Sequence, residues 1–199
     1  MDPLRRALAD NLGKTITPEL CVLLEAAAGR IAPDPTPIDL AQFEPYAHGD
    51  YVISVERFDS VLPELLPLHD LHWYETELHR HGLALKPNYQ AMSAHDGAGN
   101  LLQFTVRHLG ALVGNLRMFV LPSMHTDGRI AEEDTLFVHP DHRDGMLGLK
   151  LLRYAESCLR KIGVESIEAN SKTLNNADVL LRRMGYTPVA IMFHKILKD

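Results

Sequence analysis

Residues Gly128–Tyr154 read GRIAEEDTLFVHPDHRDGMLGLKLLRY. Their reading decides the fold. The first half alternates like an extended strand. Ile130, Glu132, Asp134, Leu136 and Val138 fall on one face, and Ala131, Glu133, Thr135 and Phe137 on the other. Pro140 has no N–H to give a ladder and ends the strand. After Arg143-Asp144-Gly145 the period changes. Gly148, Leu151, Leu152, Ala155, Cys158, Leu159 and Ile162 recur every three to four residues, as on one helix face. Gly163 is placed to stop that helix. The stretch is strand, glycine-bearing turn, helix.

A turn of this kind has its own chemistry. The first amides of a helix lack internal partners and, with the helix dipole, favour an anion such as a phosphate. Gly145 lets backbone approach a ligand closely. Arg143 adds a charge-assisted contact. Taken alone, the same turn also describes an ordinary β–α loop.

The run Val138-His139-Pro140-Asp141-His142-Arg143-Asp144-Gly145, with its helix, resembles motif A of the GCN5-related N-acetyltransferases (GNAT). In that family a strand ends in V-x-P, and Q/R-x-x-G-x-G/A opens a helix whose amides bind the pyrophosphate of acetyl-coenzyme A. Aligned on Gly145, His142 stands where Gln or Arg is usual and Leu147 where Gly or Ala is usual, and Gly148 comes one place late. The resemblance runs on through Met184-Gly185-Tyr186. It implies an α/β (α+β) fold with a mixed, mostly antiparallel central sheet flanked by helices. It implies a cofactor site of Phe137, Val138, Arg143, Asp144, Gly145, Met146, Leu147 and Gly148, with Asn175 from the next helix. The family's usual tyrosine acid falls on Leu181.

Working outward, Leu101 to His108 and Ala111 to Leu121 read as a hairpin around Leu109-Gly110. His95 to Asn100 reads as a turn cluster. Tyr51 to Phe58 reads as the first strand of the main domain. Asp59 or Ser60 is placed to cap the helix that follows, and Pro67 to kink or break it. A second helical piece runs from about His69 to Arg80. Beyond the central stretch, Glu165 to Ser171 is a short strand, Thr173 to Met184 a helix and Tyr186 to Leu197 a last strand.

At the N-terminus, Leu4, Leu8 and Leu12 mark one helix. Thr17 and Pro18 start a second. Residues 32–37 alternate proline with other residues, a stiff connection. The division expected is a helical extension over residues 1–45 and a GNAT-like domain over 46–199.

The stretch after Pro67 carries His69, His72, Trp73, Glu75, Glu77, His79 and His81, groups that could line a pocket. The resemblance places it beside the acceptor pocket, with Trp73, His72 and Glu75 as acceptor contacts. His69, His72, Glu75 and His79 share a helix face, so a zinc-dependent hydrolase is an alternative. One straight helix cannot easily surround an ion, and no metal is expected.

An ammonium acceptor must lose a proton before it attacks. Glu132 is the first candidate base, directly or through water, and Asp134 the second. Glu133 belongs to the opposite face unless a bulge re-aims it. The resemblance implies an N-acetyltransferase that moves acetyl from acetyl-CoA directly to a small-molecule or peptide amine. A non-catalytic acyl-CoA-binding module is the other reading, because fold and function separate easily.

Composition agrees with a globular chain: of 199 residues 46% are apolar and 23% charged. A net charge of −6 argues against broad nucleic-acid binding. Two cysteines make no disulfide framework, so a reducing, cytoplasmic setting is expected. No apolar run suits a membrane span or a leader. A homodimer is left open.

Overall fold

The computed structural model describes residues 3–27, 37–78, 84–143, 146–172 and 177–197. The chain divides into two compact units, residues 1–36 and 37–199. In the first, helices α1 (Pro3–Asp10) and α2 (Pro18–Ala27) are present, and the Thr17 hydroxyl accepts from the Leu20 amide at 3.2 Å as the expected cap.

The second unit is a six-stranded sheet in the order β1 to β6. Its strands are Tyr46–His48 (β1), Tyr51–Glu56 (β2), Leu101–His108 (β3), Ala111–Pro122 (β4), Arg129–Val138 (β5) and Val164–Glu168 (β6). All neighbours are antiparallel except β5 and β6. That parallel pair needs a crossover, and helix α5 (Leu147–Lys161) supplies it. The β3–β4 hairpin turns on Leu109 and Gly110, both at positive φ (48° and 90°), as a two-residue turn requires.

One sheet face packs on α5. Phe104, Leu116, Met118 and Ala131 meet Leu151, Leu152, Ala155 and Leu159 there, all under 2% exposed, with Cys158 buried beside them. The helix stripe read from sequence is this contact, and Gly163 (φ 76°) ends it. The other face packs on α3 (Phe58–His72) and α4 (Tyr89–Gly97) through Phe58, Val61, Leu65 and Leu101.

The local readings need several corrections. The strand expected over Tyr51 to Phe58 stops at Glu56, because Phe58 already opens α3. The α3 cap is neither Asp59 nor Ser60: the Phe58 amide donates to Asp96 Oδ2 at 3.1 Å, a carboxylate from α4. Pro67 does not end α3. Pro63 and Pro67 both lie on its exposed side, while buried Phe58, Val61, Leu65 and Leu68 pin the other side. The helix passes into one π-helical turn, Trp73–Glu77. The His95-to-Asn100 cluster begins inside α4, which has no clear apolar stripe to announce it. Tyr186 to Leu197 forms no strand. Val189, Ile191 and Phe193 are 80–90% exposed there, so the alternation has nothing to pack against.

Candidate active site

The site lies where β5 outruns β6. Their ladder ends with Glu132 opposite Glu168, whereas β5 continues to Val138. On this side, residues 133–138 have no ladder partner among the described residues, an edge that suits an extended ligand. Beyond the strand, α5 begins at Leu147 with Met146 as its N-cap, whose side chain makes no capping bond.

A cleft of about 320 Å³ joins the two features. Leu136, Phe137 and Val138 form one wall and Met146, Gly148 and Leu149 another. Ala177, Leu180 and Arg183 of α6 (Ala177–Arg183) close a third side, with His72, Glu75 and Arg143 completing the rim. Gly148 matters here: a Cβ on it would lie 3.5 Å from Leu180, so a large side chain fills the cleft. Arg143 donates from Nε to the Val138 carbonyl at 2.7 Å. Its two terminal nitrogens grip both oxygens of Glu75 at 2.7 Å each, a bidentate fork. The guanidinium lies 5.1 Å from the Phe137 ring centroid, and the His72 ring lies 5.2 Å from the same ring.

Of the expected site residues, Phe137, Val138, Arg143, Met146, Gly148, His72 and Glu75 thus share one cleft. Leu147 does not line it; at 5% exposure it packs into the core. Trp73 is half-buried and lines neither this cleft nor the larger one described next. Asp144, Gly145 and Asn175 lie outside the described residues, as does His79. Among the described residues no group of three or more His, Cys, Asp or Glu is arranged to hold a metal ion. His69 instead meets the Tyr89 hydroxyl at 3.1 Å, and burial pushes its imidazole down to about 4.

On the β6 side a larger cleft, about 1250 Å³, is bordered by Glu132, Glu133, Glu168, Asn170 and Tyr186 among others. The three acids of β5 fare differently. The strand does not keep the expected parity, because the register slips by one residue opposite Arg117 and Met118. Thr135 faces Arg117 and Glu133 faces Met118, with Asp134 the extra residue of a β-bulge. Glu132 is exposed. Asp134 is bound by Arg117, Nε to Oδ2 at 2.7 Å. Glu133 accepts the Asn170 amide at 3.1 Å. Burial pushes the Glu133 carboxyl up to about 7; the Asn170 amide and Lys172 oppose that rise, and Asp134 and Glu77 add to it. Lys172 itself pairs with Glu77 of the π-turn at 2.7 Å.

The sequence ranks Glu133 third among the acids and offers Glu77 only as a pocket-lining group; Arg117 and Lys172 are new from the structure. Arg117 had left a signal, a lone cation inside the apolar strand Ala111–Pro122. Lys172 and Glu77 meet only through tertiary folding.

A sequence model described as the acetyltransferase (GNAT) family matches residues 62–186. The chain belongs to the GNAT acetyltransferase family. Solved structures agree in fold. An aminoglycoside acetyltransferase from an uncultured soil metagenomic sample, in complex with sisomicin, superposes with TM-score 0.60 at 15% identity, over 75% of this chain and 97% of that one. A ribosomal-protein-alanine N-acetyltransferase from Brucella melitensis gives 0.58 at 16%, over 75% and 99%. A putative acetyltransferase from Pyrococcus furiosus gives 0.55 at 18%, over 74% and 99%. A search of curated sequences gives no match.

Leu181, where the sequence alignment sets the family's usual tyrosine acid, is 8% exposed and packed in the core, and a leucine side chain has no proton to give.

Proposed function

We propose that this chain transfers an acetyl group from acetyl-coenzyme A to a primary amine, with Glu133 as general base. The observation that carries the reading is the open β5 edge running from the start of α5 to a carboxyl poised near neutrality.

The first amides of α5 and the rim of the smaller cleft suit the pyrophosphate. The edge at residues 134–138 suits the amide-bearing pantetheine arm, which would bring the thioester to the bulge. Acceptor amines enter protonated. Glu133, half ionised near pH 7, takes that proton, and the freed nitrogen attacks the acyl carbon. The C–N bond forms, the C–S bond breaks, and coenzyme A leaves as a thiolate. A main-chain amide beside the bulge is suited to hold the developing oxyanion. Glu132 is exposed to solvent, and Asp134 is held by Arg117.

The test is thiol release from acetyl-coenzyme A against a panel of polyamines, aminoglycosides, peptide N-termini and lysine peptides. Wild type is expected to turn over at least one amine, and Glu133→Gln to lose about 100-fold or more in kcat, in the usual range for a general base. Glu132→Gln is expected to stay within about 3-fold. Undiminished turnover in Glu133→Gln removes it as the base. Acetyl-coenzyme A binding with no turnover on any amine favours a binding module instead.

A further inference from the structure

The bulge in β5 decides where Glu133 points. Thr135 and Phe137 face Arg117 and Asn115, so regular alternation would put Glu133 on that same face, towards α3. The one-residue slip moves it to the face of Met118 and Ala131, beside the open fork with β6. Such a bulge has a cost. It unpairs one residue of the ladder, and here three consecutive acids crowd the strand.

Arg117 sits against the slip. Its side chain is 5% exposed. Nε donates to Asp134 Oδ2 at 2.7 Å, and a terminal nitrogen donates to the Thr135 hydroxyl at 3.1 Å. That hydroxyl in turn donates to Asp134 Oδ2 at 3.1 Å. The three groups close a ring of hydrogen bonds across the bulged residue. From below, the Phe58 ring lies 5.8 Å from the guanidinium carbon. The remaining nitrogen, Nη1, is buried and has no hydrogen-bond partner among the described residues. A buried guanidinium with an open donor is a poor source of stability, and well-packed apolar groups often do as well. Its geometry points to a role in holding shape.

We propose that Arg117 is a positioning residue: its guanidinium clamps the β5 bulge through Asp134 and Thr135 and so keeps Glu133 in the fork beside β6. This rests on the reading of Glu133 as the base. The groups facing Glu133 are Asp134 and Glu132 on its own strand, Lys172 and the Asn170 amide beyond β6, Glu77 of the π-turn, and Tyr186. Arg117 acts on this set by neutralising Asp134. Two substitutions at the clamp therefore have opposite electrostatic signs. Asp134→Asn deletes a negative charge beside Glu133 and lowers its titration midpoint. Arg117→Gln leaves Asp134 uncompensated and raises it.

The experiment titrates the Glu133 carboxyl by carbon-13 NMR in the full chain and sets it beside kinetics with the best amine of the panel. Expected midpoints move down in Asp134→Asn and up in Arg117→Gln, by about half a unit to one unit each, and the double variant lies between. The acid limb of the kcat profile follows. In Arg117→Gln, kcat falls about 10-fold or more while KM for acetyl-coenzyme A stays within about 2-fold; Arg117→Lys, which keeps the charge without the fork, recovers part of kcat. Midpoints that stay put in both single variants, or that move the same way, overturn the clamp. So does an unchanged kcat in Arg117→Gln. If Arg117→Gln does not fold, Asp134→Asn and Arg117→Lys carry the same test. Activity surviving in Glu133→Gln sinks the base assignment, whatever the midpoints show.

Discussion

The two faces of the central sheet are built from the same strands with opposite chemistry. Towards α5, Leu102, Phe104, Val106, Leu116, Met118 and Val120 are almost fully buried, all apolar. Towards α3, the alternate residues Gln103, Thr105, Asn115, Arg117 and Thr135 are buried and polar, beside the buried apolar Leu101 and Phe137. Apolar burial contributes to stability in proportion to area. Buried polar groups contribute little net and are expensive when unpaired. Gln103 Oε1, both amide atoms of Asn115 and Arg117 Nη1 have no hydrogen-bond partner among the described residues. The α5 face holds the fold together, while the α3 face holds groups in position for the site.

The contrast breaks most visibly on the apolar side. Phe104→Ala, at a position with 0% exposure, should cost about 3–5 kcal/mol in urea unfolding. Activity per folded molecule should be unchanged. A loss below about 1 kcal/mol would mean that this face does not carry the fold.

Glu133 tests the boundary between the two roles. Its folded value of about 7 lies above the ordinary 4.5, so the folded chain holds this proton more tightly than the unfolded one. Its contribution is therefore most favourable below pH 4.5 and is lost as pH rises through about 7. Glu133→Gln should stabilise the protein at pH 8 by about 2 kcal/mol and leave it nearly unchanged at pH 4, while it removes activity. Melting curves at the two pH values check this, and equal shifts at both contradict it.

The smallest expected effect is on the polar face. Asn115→Leu replaces a buried amide that meets no partner among the described residues by an apolar group of similar size. Denaturation should show it neutral or up to about 1 kcal/mol more stable. A loss of about 2 kcal/mol or more would show that the polar face also supports the fold.

What the sequence revealed follows the same division. Periodicity reports burial, so the α5 stripe, the β3–β4 hairpin and β5 were legible in Leu151, Leu152 and Ala155, in Leu109-Gly110 and in the run Ile130 to Val138. The strand-to-helix turn beside the smaller cleft was legible, since both halves lie in one stretch. The side to which Glu133 turns was not, because a bulge shifts parity by one residue and the hydrogen-bond partner of the bulged Asp134, Arg117, lies on another strand. Nor did Pro67 announce that α3 would continue past it, because tertiary burial of Leu65 and Leu68 outweighs the local penalty.

The central claim is that acetyl-coenzyme A lies between the β5 edge and the start of α5. Isothermal titration of acetyl-coenzyme A into the full chain tests it most directly, with Gly148→Trp and Glu133→Gln as paired variants. The account predicts saturable binding to wild type and to Glu133→Gln, and its loss in Gly148→Trp, whose side chain fills the cleft against Leu180. No binding to wild type, or undiminished binding to a folded Gly148→Trp, contradicts it.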